Sequence, residues 1–454
     1  MKVAYYLLSL DQHLKPLQML WRIAIYVHDR HVVTERVLLV PVRDKIANRG
    51  CECPPDAELE HLVRSAGAET AGIFMFECRR YDPAFFITEG RREALKIQVE
   101  QSAADCVVFD ADLTPAQQRN LEDFLEVKVI DRTALILDIF AQRARSREGK
   151  LQIELAQLDY LLPRLKGRGM QMSRLGGGIG TRGPGETQLE SDRRKVRERM
   201  QRIRRDLDHV ETTRMVQRGN RIRHGLQCAA LVGYTNAGKS TLLNLLAGSR
   251  VTAENRLFST LDPTTRKVCL SDGGAVLLSD TVGFIRGLPH QLVAAFKATL
   301  EEVQESQLLV HIIDCTSPDA EQQAAAVDSV LKEIGAHDKE TIFVLNKIDA
   351  VDDPGIIRQL ARRFEPAAAV SARTGQGIDG LRSLLERWVA QRVPHMYFRL
   401  PATEQRAIDR IMKSGTVLYS ACDASDVLIE ARIDNTIAYN LRRFAVPSFR
   451  TGEQ

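Results

Sequence analysis

The apolar run 228–232 ends directly on Gly233-Tyr234-Thr235-Asn236-Ala237-Gly238-Lys239-Ser240, with Thr241 next. This G-x-x-x-x-G-K-[ST] pattern leaves the chain little conformational choice. Glycines let backbone N–H groups wrap a polyphosphate, and the anion belongs at the N-terminus of the helix that follows. Residues 228–241 therefore predict a strand, a phosphate loop and a helix, the opening unit of a parallel α/β sheet.

Three further boxes follow in order, each at the end of an apolar run: Asp280-Thr281-Val282-Gly283, Asn346-Lys347-Ile348-Asp349 and Ser371-Ala372-Arg373. The Asp349 carboxylate can accept from the ring N–H and exocyclic amine of guanine, and the Ala372 N–H can donate to its carbonyl oxygen. These boxes predict a GTPase that binds GTP and GDP. The polar segment Phe258-Ser259-Thr260-Leu261-Asp262-Pro263-Thr264-Thr265 lies where a nucleotide-sensing switch loop belongs. Ser240 and Thr260 are the expected Mg²⁺ hydroxyls, with Asp280 holding a water of the ion. The expected catalytic set is Lys239, Thr260, Gly283 and Asn236. Phe284 stands where many GTPases place the glutamine that orients water, and a phenyl ring cannot do so. Asn236 can help to hold a monovalent cation such as K⁺ near the phosphates, or can simply cap its own loop.

At 454 residues the chain is too long for one core of about 100–200 residues. The runs 228–232, 276–279, 308–313, 342–345 and 367–370 alternate with helical patterns and predict a doubly wound sheet. Upstream, strands at 37–42, 72–77, 106–110 and 127–130 interleave with helices at 59–65, 94–103 and 115–124. That alternation predicts a second parallel α/β domain. After Pro394, strands at 397–400, 417–420 and 427–433 with a helix at 403–412 predict a small α+β segment of βαββ order. Between the α/β domains, Leu151, Leu155, Leu158, Leu162 and Leu165 step by 4-3-4-3, as do Val196, Met200, Ile203, Leu207 and Val210. Each seam is about 22 Å of helix, so the two predict an antiparallel helical hairpin, with Pro163 kinking the first helix near its end. The segment joining them, 167–185, holds eight glycines and is expected not to be helical. The expected boundaries are an N-terminal extension 1–33, an α/β domain 34–142, the hairpin 143–223, a GTPase domain 224–393 and a C-terminal domain 394–454.

Residues 143–223 carry 21 Lys and Arg against 10 Asp and Glu, a local +11 in a chain of net charge +4. Such asymmetry predicts a basic surface for a polyanion, although a solvated coiled-coil linker would carry similar helices. Lys2 is followed by an apolar run, 3–10, that Asp11 ends without a small-residue cleavage site, which argues against a signal peptide. No uncharged apolar run approaches the ~18–20 residues of a membrane span. The eight cysteines, among them Cys106, Cys228, Cys269 and Cys315 in apolar stretches, read as reduced buried thiols of a cytoplasmic protein. Cys51 and Cys53 form a C-x-C with no second pair, which is weak ground for a metal site.

Gly183-Pro184-Gly185-Glu186-Thr187-Gln188-Leu189-Glu190, preceded by Gly176-Gly177-Gly178-Ile179-Gly180 and joined to the nucleotide boxes above, resembles the HflX family of bacterial GTPases. Ile130-Asp131-Arg132-Thr133, the run 138–144 and Leu288-Pro289-His290 extend the likeness over about 60–65% of the chain. One departure is Phe86-Ile87-Thr88-Glu89-Gly90-Arg91, where the family more often has Gly-x-Gly-Lys. The resemblance implies the four domains above and binding to the large ribosomal subunit and its rRNA. It further implies GTP-regulated dissociation or rescue of ribosomes under stress, by what is expected to be a monomer. Two other readings stay open: a GTPase that assists large-subunit assembly, and a signalling switch that binds no RNA.

Overall fold

The computed structural model describes residues 34–44, 55–78, 81–165, 184–223, 227–248, 258, 260–271, 275–286, 297–392, 395–423, 425–433 and 435–448. The described residues form two compact units, one from 34–142 and 153–205, the other from 143–152 and 206–448.

The first unit is built on a parallel sheet of order β3-β1-β5-β6, from β1 (Arg36–Val40), β3 (Glu69–Ile73), β5 (Cys106–Phe109) and β6 (Lys128–Asp131). Central β1 is buried on both faces, which its unbroken Val37-Leu38-Leu39-Val40 run anticipates. Helices α1 (Pro55–Ala66), α2 (Glu89–Ser102), α3 (Pro115–Leu125) and α4 (Arg132–Arg143) complete the unit's α/β part. Thr114 starts α3 with a capping box to Gln117 and with Pro115 in the first turn, where a missing N–H does no harm. The single strand expected at 72–77 is two. Pro41 has no N–H to continue the β1 ladder, so β2 (Val42–Asp44) leaves that sheet and pairs with β4 (Phe76–Cys78).

The hairpin helices are α5 (Arg147–Arg164) and α6 (Pro184–Arg223), of 18 and 40 residues. At 1.5 Å per residue they are about 27 and 60 Å long, so the equal lengths expected from the seams do not hold. Pro184 and Gly185 are helical, at the very start of α6, while 166–183 lies outside the described residues. On α6, Val196, Met200 and Ile203 are buried as expected. On α5 the seam residue Leu158 is buried, but Leu151, Leu155, Leu162 and Leu165 are half-buried, and the rest of the buried face is Ile153, Ala156, Gln157 and Tyr160. Its face is rotated because α5 packs on the α/β part: Tyr160 Oη donates to Asp131 at 2.9 Å and Arg164 donates to Asp131 at 2.8 Å.

The second unit carries a mixed six-stranded sheet of order β12-β11-β10-β7-β9-β8. Its strands are β7 (Gln227–Gly233), β8 (Thr264–Cys269), β9 (Ala275–Asp280), β10 (Leu308–Asp314), β11 (Thr341–Asn346) and β12 (Ala367–Ala369). All pairs are parallel except β8 with β9. Helices α7 (Lys239–Leu246), α8 (Lys297–Glu305), α9 (Ala320–Glu333), α10 (Pro354–Arg363) and α11 (Ile378–Arg392) accompany it. Strand β8 was not expected. It is a polar edge strand in which Val268 alone is fully buried, so it carries almost no hydrophobic signal, and Cys269 on it is exposed rather than buried. A separate antiparallel sheet of order β14-β15-β13-β16 follows, from β13 (His395–Pro401), β14 (Thr416–Asp423), β15 (Asp426–Arg432) and β16 (Ala445–Val446). Helix α12 (Gln405–Ser414) packs Ala407 and Ile411 among Phe398, Leu400 and Ile429. Helix α13 (Asn435–Asn440) and the two-residue β16 extend the expected βαββ order. Among the described residues no helix is long and apolar enough to cross a membrane.

Candidate functional site

The site gathers at the C-terminal ends of β7, β9, β10 and β11, where a doubly wound sheet opens its crevice. Thr235, Asn236, Gly238, Lys239, Ser240, Thr241, Phe258, Thr260, Thr281 and Gly283 line one cleft. Gly238 adopts φ +97°, and a Cβ there would lie 2.3 Å from the Asn346 amide nitrogen, so no other residue fits the turn. Asn346 in turn donates to the Ala237 carbonyl at 2.7 Å and accepts from the Ala372 N–H at 2.9 Å. One side chain thus ties the phosphate loop to two boxes more than a hundred residues downstream.

Lys239 is 6% exposed, and its ammonium donates to the Tyr234 carbonyl at 2.9 Å and the Gly233 carbonyl at 3.1 Å. Burial lowers its pKa to about 8, against the opposing pull of Asp280. Asp280 is 2% exposed. Burial pushes its carboxyl upward, while Lys239 and the hydroxyls of Ser240 and Thr260 pull it down. Its Oδ2 accepts from Ser240 at 2.6 Å and Thr260 at 2.8 Å, and the two hydroxyls lie 2.7 Å apart. The other oxygen, Oδ1, is buried with no hydrogen-bond partner among the described residues, as is the Thr235 hydroxyl. An orphaned carboxylate oxygen among hydroxyls is a set of hard donors suited to Mg²⁺. Ser240 and Thr260 would hold that ion, which would neutralise phosphate charge when bound.

The residues expected to recognise the base converge as well. Ser371 Oγ donates to Asp349 at 2.6 Å, and Arg373 donates to the other carboxylate oxygen. These contacts, the Ser371 bond foremost, hold the Asp349 carboxyl below its ordinary value. Lys347 pairs with Asp314 at the end of β10 at 2.5 Å, and Ile348 begins a short turn, Ile348–Ala350. Thr281 donates to the Leu231 carbonyl at 2.6 Å, and both Val282 and Leu261 are buried. Asn236 is exposed at the mouth of the cleft with φ +61°, a conformation asparagine tolerates better than most residues. Asp262 departs from the expected nucleotide contact: its carboxylate faces Arg145 and Ser146. Ser259 and the C-x-C of Cys51 and Cys53 lie outside the described residues.

Residues 228–347 match the family model described as 50S ribosome-binding GTPase. Residues 56–141 match the GTP-binding GTPase N-terminal model, and 143–221 the GTP-binding GTPase Middle Region. The GTPase HflX of Caldanaerobacter subterraneus subsp. tengcongensis is 46% identical over 86% of this chain and 90% of its own length. The chain belongs to the HflX GTPase family. The HflX proteins of Lacrimispora saccharolytica (43% identity, 90% of this chain, 96% of the relative) and Escherichia coli K12 (47%, 78%, 83%) agree. The chain is therefore a GTPase, built on the P-loop fold described above.

Two contacts of this HflX chain were not read from the sequence. Tyr234 and Phe284 form a parallel bridge, in which the Thr235 N–H donates to the Phe284 carbonyl at 2.8 Å and the Phe284 N–H to the Gly233 carbonyl at 3.1 Å. The Tyr234 hydroxyl then accepts from the Arg286 N–H at 3.0 Å. The segment after Gly283 is thereby stitched to the phosphate loop, and the Phe284 ring is 1% exposed. Nothing in the motif itself signals the bridge, because its partners are backbone groups and not side chains.

Proposed function

We propose that this HflX GTPase binds the large ribosomal subunit through its basic hairpin and dissociates or rescues ribosomes under stress, with GTP state controlling attachment and release. The observation that carries the reading is the row of exposed Arg194, Arg197, Arg202, Arg204 and Arg205 on α6. Like charges so dense on one helix disfavour it until a polyanion neutralises some of them. Arg199 is excluded from that row, since it makes a bidentate pair with Glu154 at 2.7 and 2.9 Å. The family model's description as a 50S ribosome-binding GTPase supports the same partner. In this reading 224–393 is the GTPase domain, 143–223 the RNA-facing hairpin, and 34–142 and 394–454 flanking domains of a cytoplasmic monomer. The glycine-rich run 176–185 carries little side-chain bulk, which suits close approach to RNA where bulkier side chains would clash. Lys239 reaches the β and γ phosphates, Ser240 and Thr260 serve Mg²⁺, and Gly283 faces the γ-phosphate through its N–H.

Sedimentation with GTP or a non-hydrolysable analogue tests the function. Splitting converts assembled ribosomes to subunits, whereas assistance in assembly leaves them intact, and a signalling switch never cosediments. Replacing Arg194, Arg197 and Arg202 with Ala should weaken large-subunit binding and flatten its log–log salt dependence by roughly two to three units, at about 0.7–0.9 per phosphate contact. Wild-type affinity and slope in that variant would make the hairpin a spacer. The Phe284 side chain offers no polar atom to water, so a monovalent cation held with the help of the Asn236 amide supplies positive charge beside the phosphates. Hydrolysis should accordingly run faster in K⁺ than in Na⁺, and equal rates would leave Asn236 a loop-capping residue.

A further inference from the structure

Asp262 lies two residues beyond the switch threonine, yet its carboxylate is committed to the start of the hairpin. Oδ2 accepts from the Ser146 N–H at 2.7 Å and the Arg145 N–H at 3.1 Å, and Oδ1 accepts from the Ser146 hydroxyl. Ser146 is itself the N-cap of α5: its Oγ accepts from the Gly149 N–H at 2.9 Å, and its carbonyl accepts from the Lys150 N–H at 3.1 Å. The Ser146 hydroxyl proton and lone pairs are therefore both used, and an anion sits where the helix dipole favours one. Gly149 completes the fit, since a Cβ there would lie 2.5 Å from Asp262 Oδ1.

The strap between the two ends has little slack. Thr260 bonds Asp280 at 2.8 Å, Leu261 is buried, and Pro263 fixes its own φ. Two residues span at most about 7 Å, so a displacement of Thr260 cannot be absorbed before it reaches Asp262. The helix that begins at this cap, α5, carries Glu154 and with it the pair to Arg199 on α6.

We propose that Asp262 is a positioning residue that couples Thr260 to the first turn of α5, so that the hydrolysis-competent switch and the start of the hairpin are ordered together. The proposal rests on the reading of 258–265 as a nucleotide-sensing segment. It adds the means by which nucleotide state reaches the hairpin.

Amide hydrogen exchange on the full chain, with GDP or the non-hydrolysable analogue GMPPNP bound, tests it. In the wild type, exchange at Gly149 and Lys150 should slow at least tenfold when GMPPNP replaces GDP. Gly149→Ala, which expels Asp262 while placing a better helix former in the turn, should abolish that difference. Ser146→Ala should do the same and Ser146→Thr should restore it. In both Ala variants kcat for GTP should fall at least fivefold, with KM and GDP affinity within twofold of wild type, a split that general loss of helix stability would not produce. A nucleotide-dependent difference that persists in Gly149→Ala, or is missing in nucleotide-bound wild type, would overturn the coupling. Failure of the wild type to bind guanine nucleotide would overturn the site reading as well, and binding measured in the same samples separates the two results.

Discussion

Asp349→Asn is expected to weaken GTP and GDP binding by about 2–4 kcal/mol, roughly 30- to 1000-fold, and to improve binding of xanthosine triphosphate. The carboxylate is held anionic, through the Ser371 hydroxyl at 2.6 Å and the Arg373 guanidinium. Guanine presents two adjacent donors, its ring N–H and its exocyclic amine, and a carboxylate can accept both. Asparagine keeps one acceptor and substitutes a donor, which faces the exocyclic amine unfavourably. Xanthine carries a carbonyl in that place, so the same amide donor finds a partner. Discrimination of this kind is large because a mismatched site leaves buried polar groups unpaired. Titration with fluorescent guanosine and xanthosine nucleotides measures both arms. Unchanged GTP affinity would remove Asp349 from base recognition, and lost affinity for both nucleotides would point to misfolding of the box.

The parts of this architecture that were legible in the sequence are those where a single residue type answers a local demand. Gly238 must clear Asn346, Lys239 must follow it, and strands buried on both faces, such as 228–232 and 308–313, show as apolar runs, the second interrupted by the buried His311. Strand β8 escaped because an edge strand needs only one buried position, Val268, which leaves the turn-type residues Asp272-Gly273-Gly274 before β9 as the sequence sign of a hairpin. The buried face of α5 escaped for a different reason. Heptad spacing describes what one helix can offer to another, whereas Tyr160 and Arg164 are turned toward the buried Asp131 of a strand end, a demand that no periodicity encodes. Sequence alone groups Asp262 with the nucleotide because its neighbours are expected there. Its partners, Arg145 and Ser146, lie more than a hundred residues upstream and engage it mostly through backbone N–H groups. Contacts of side chain to distant backbone have no residue-type signature.

On the proposed function the docked large subunit accelerates GTP hydrolysis by ordering the switch segment, and Thr260→Ala should abolish that acceleration while leaving GDP affinity within about twofold. The Thr260 hydroxyl donates to Asp280 at 2.8 Å and lies 2.7 Å from Ser240, so it belongs to the oxygen cluster suited to Mg²⁺. Its removal costs little in the fold, because Asp280 Oδ2 retains the Ser240 hydroxyl at 2.6 Å. A switch threonine matters to the triphosphate state and not to the diphosphate state, in which the segment is released. Loss of one such aligned group in a transition state is worth about 2.7–4 kcal/mol, a hundredfold or more in rate. No side chain replaces it from the position after Gly283, since Phe284 is buried and bonded through its backbone to the phosphate loop. Ser240→Ala serves as the contrast: its hydroxyl follows Lys239 in the phosphate loop itself, so its loss should weaken Mg²⁺-dependent binding of GDP and GTP alike. Stopped-flow hydrolysis with large subunits, set beside equilibrium GDP titration, separates the two variants. Stimulated hydrolysis at the wild-type rate in Thr260→Ala would take the switch role from 258–265, and with it the argument that this segment reports the nucleotide to the hairpin.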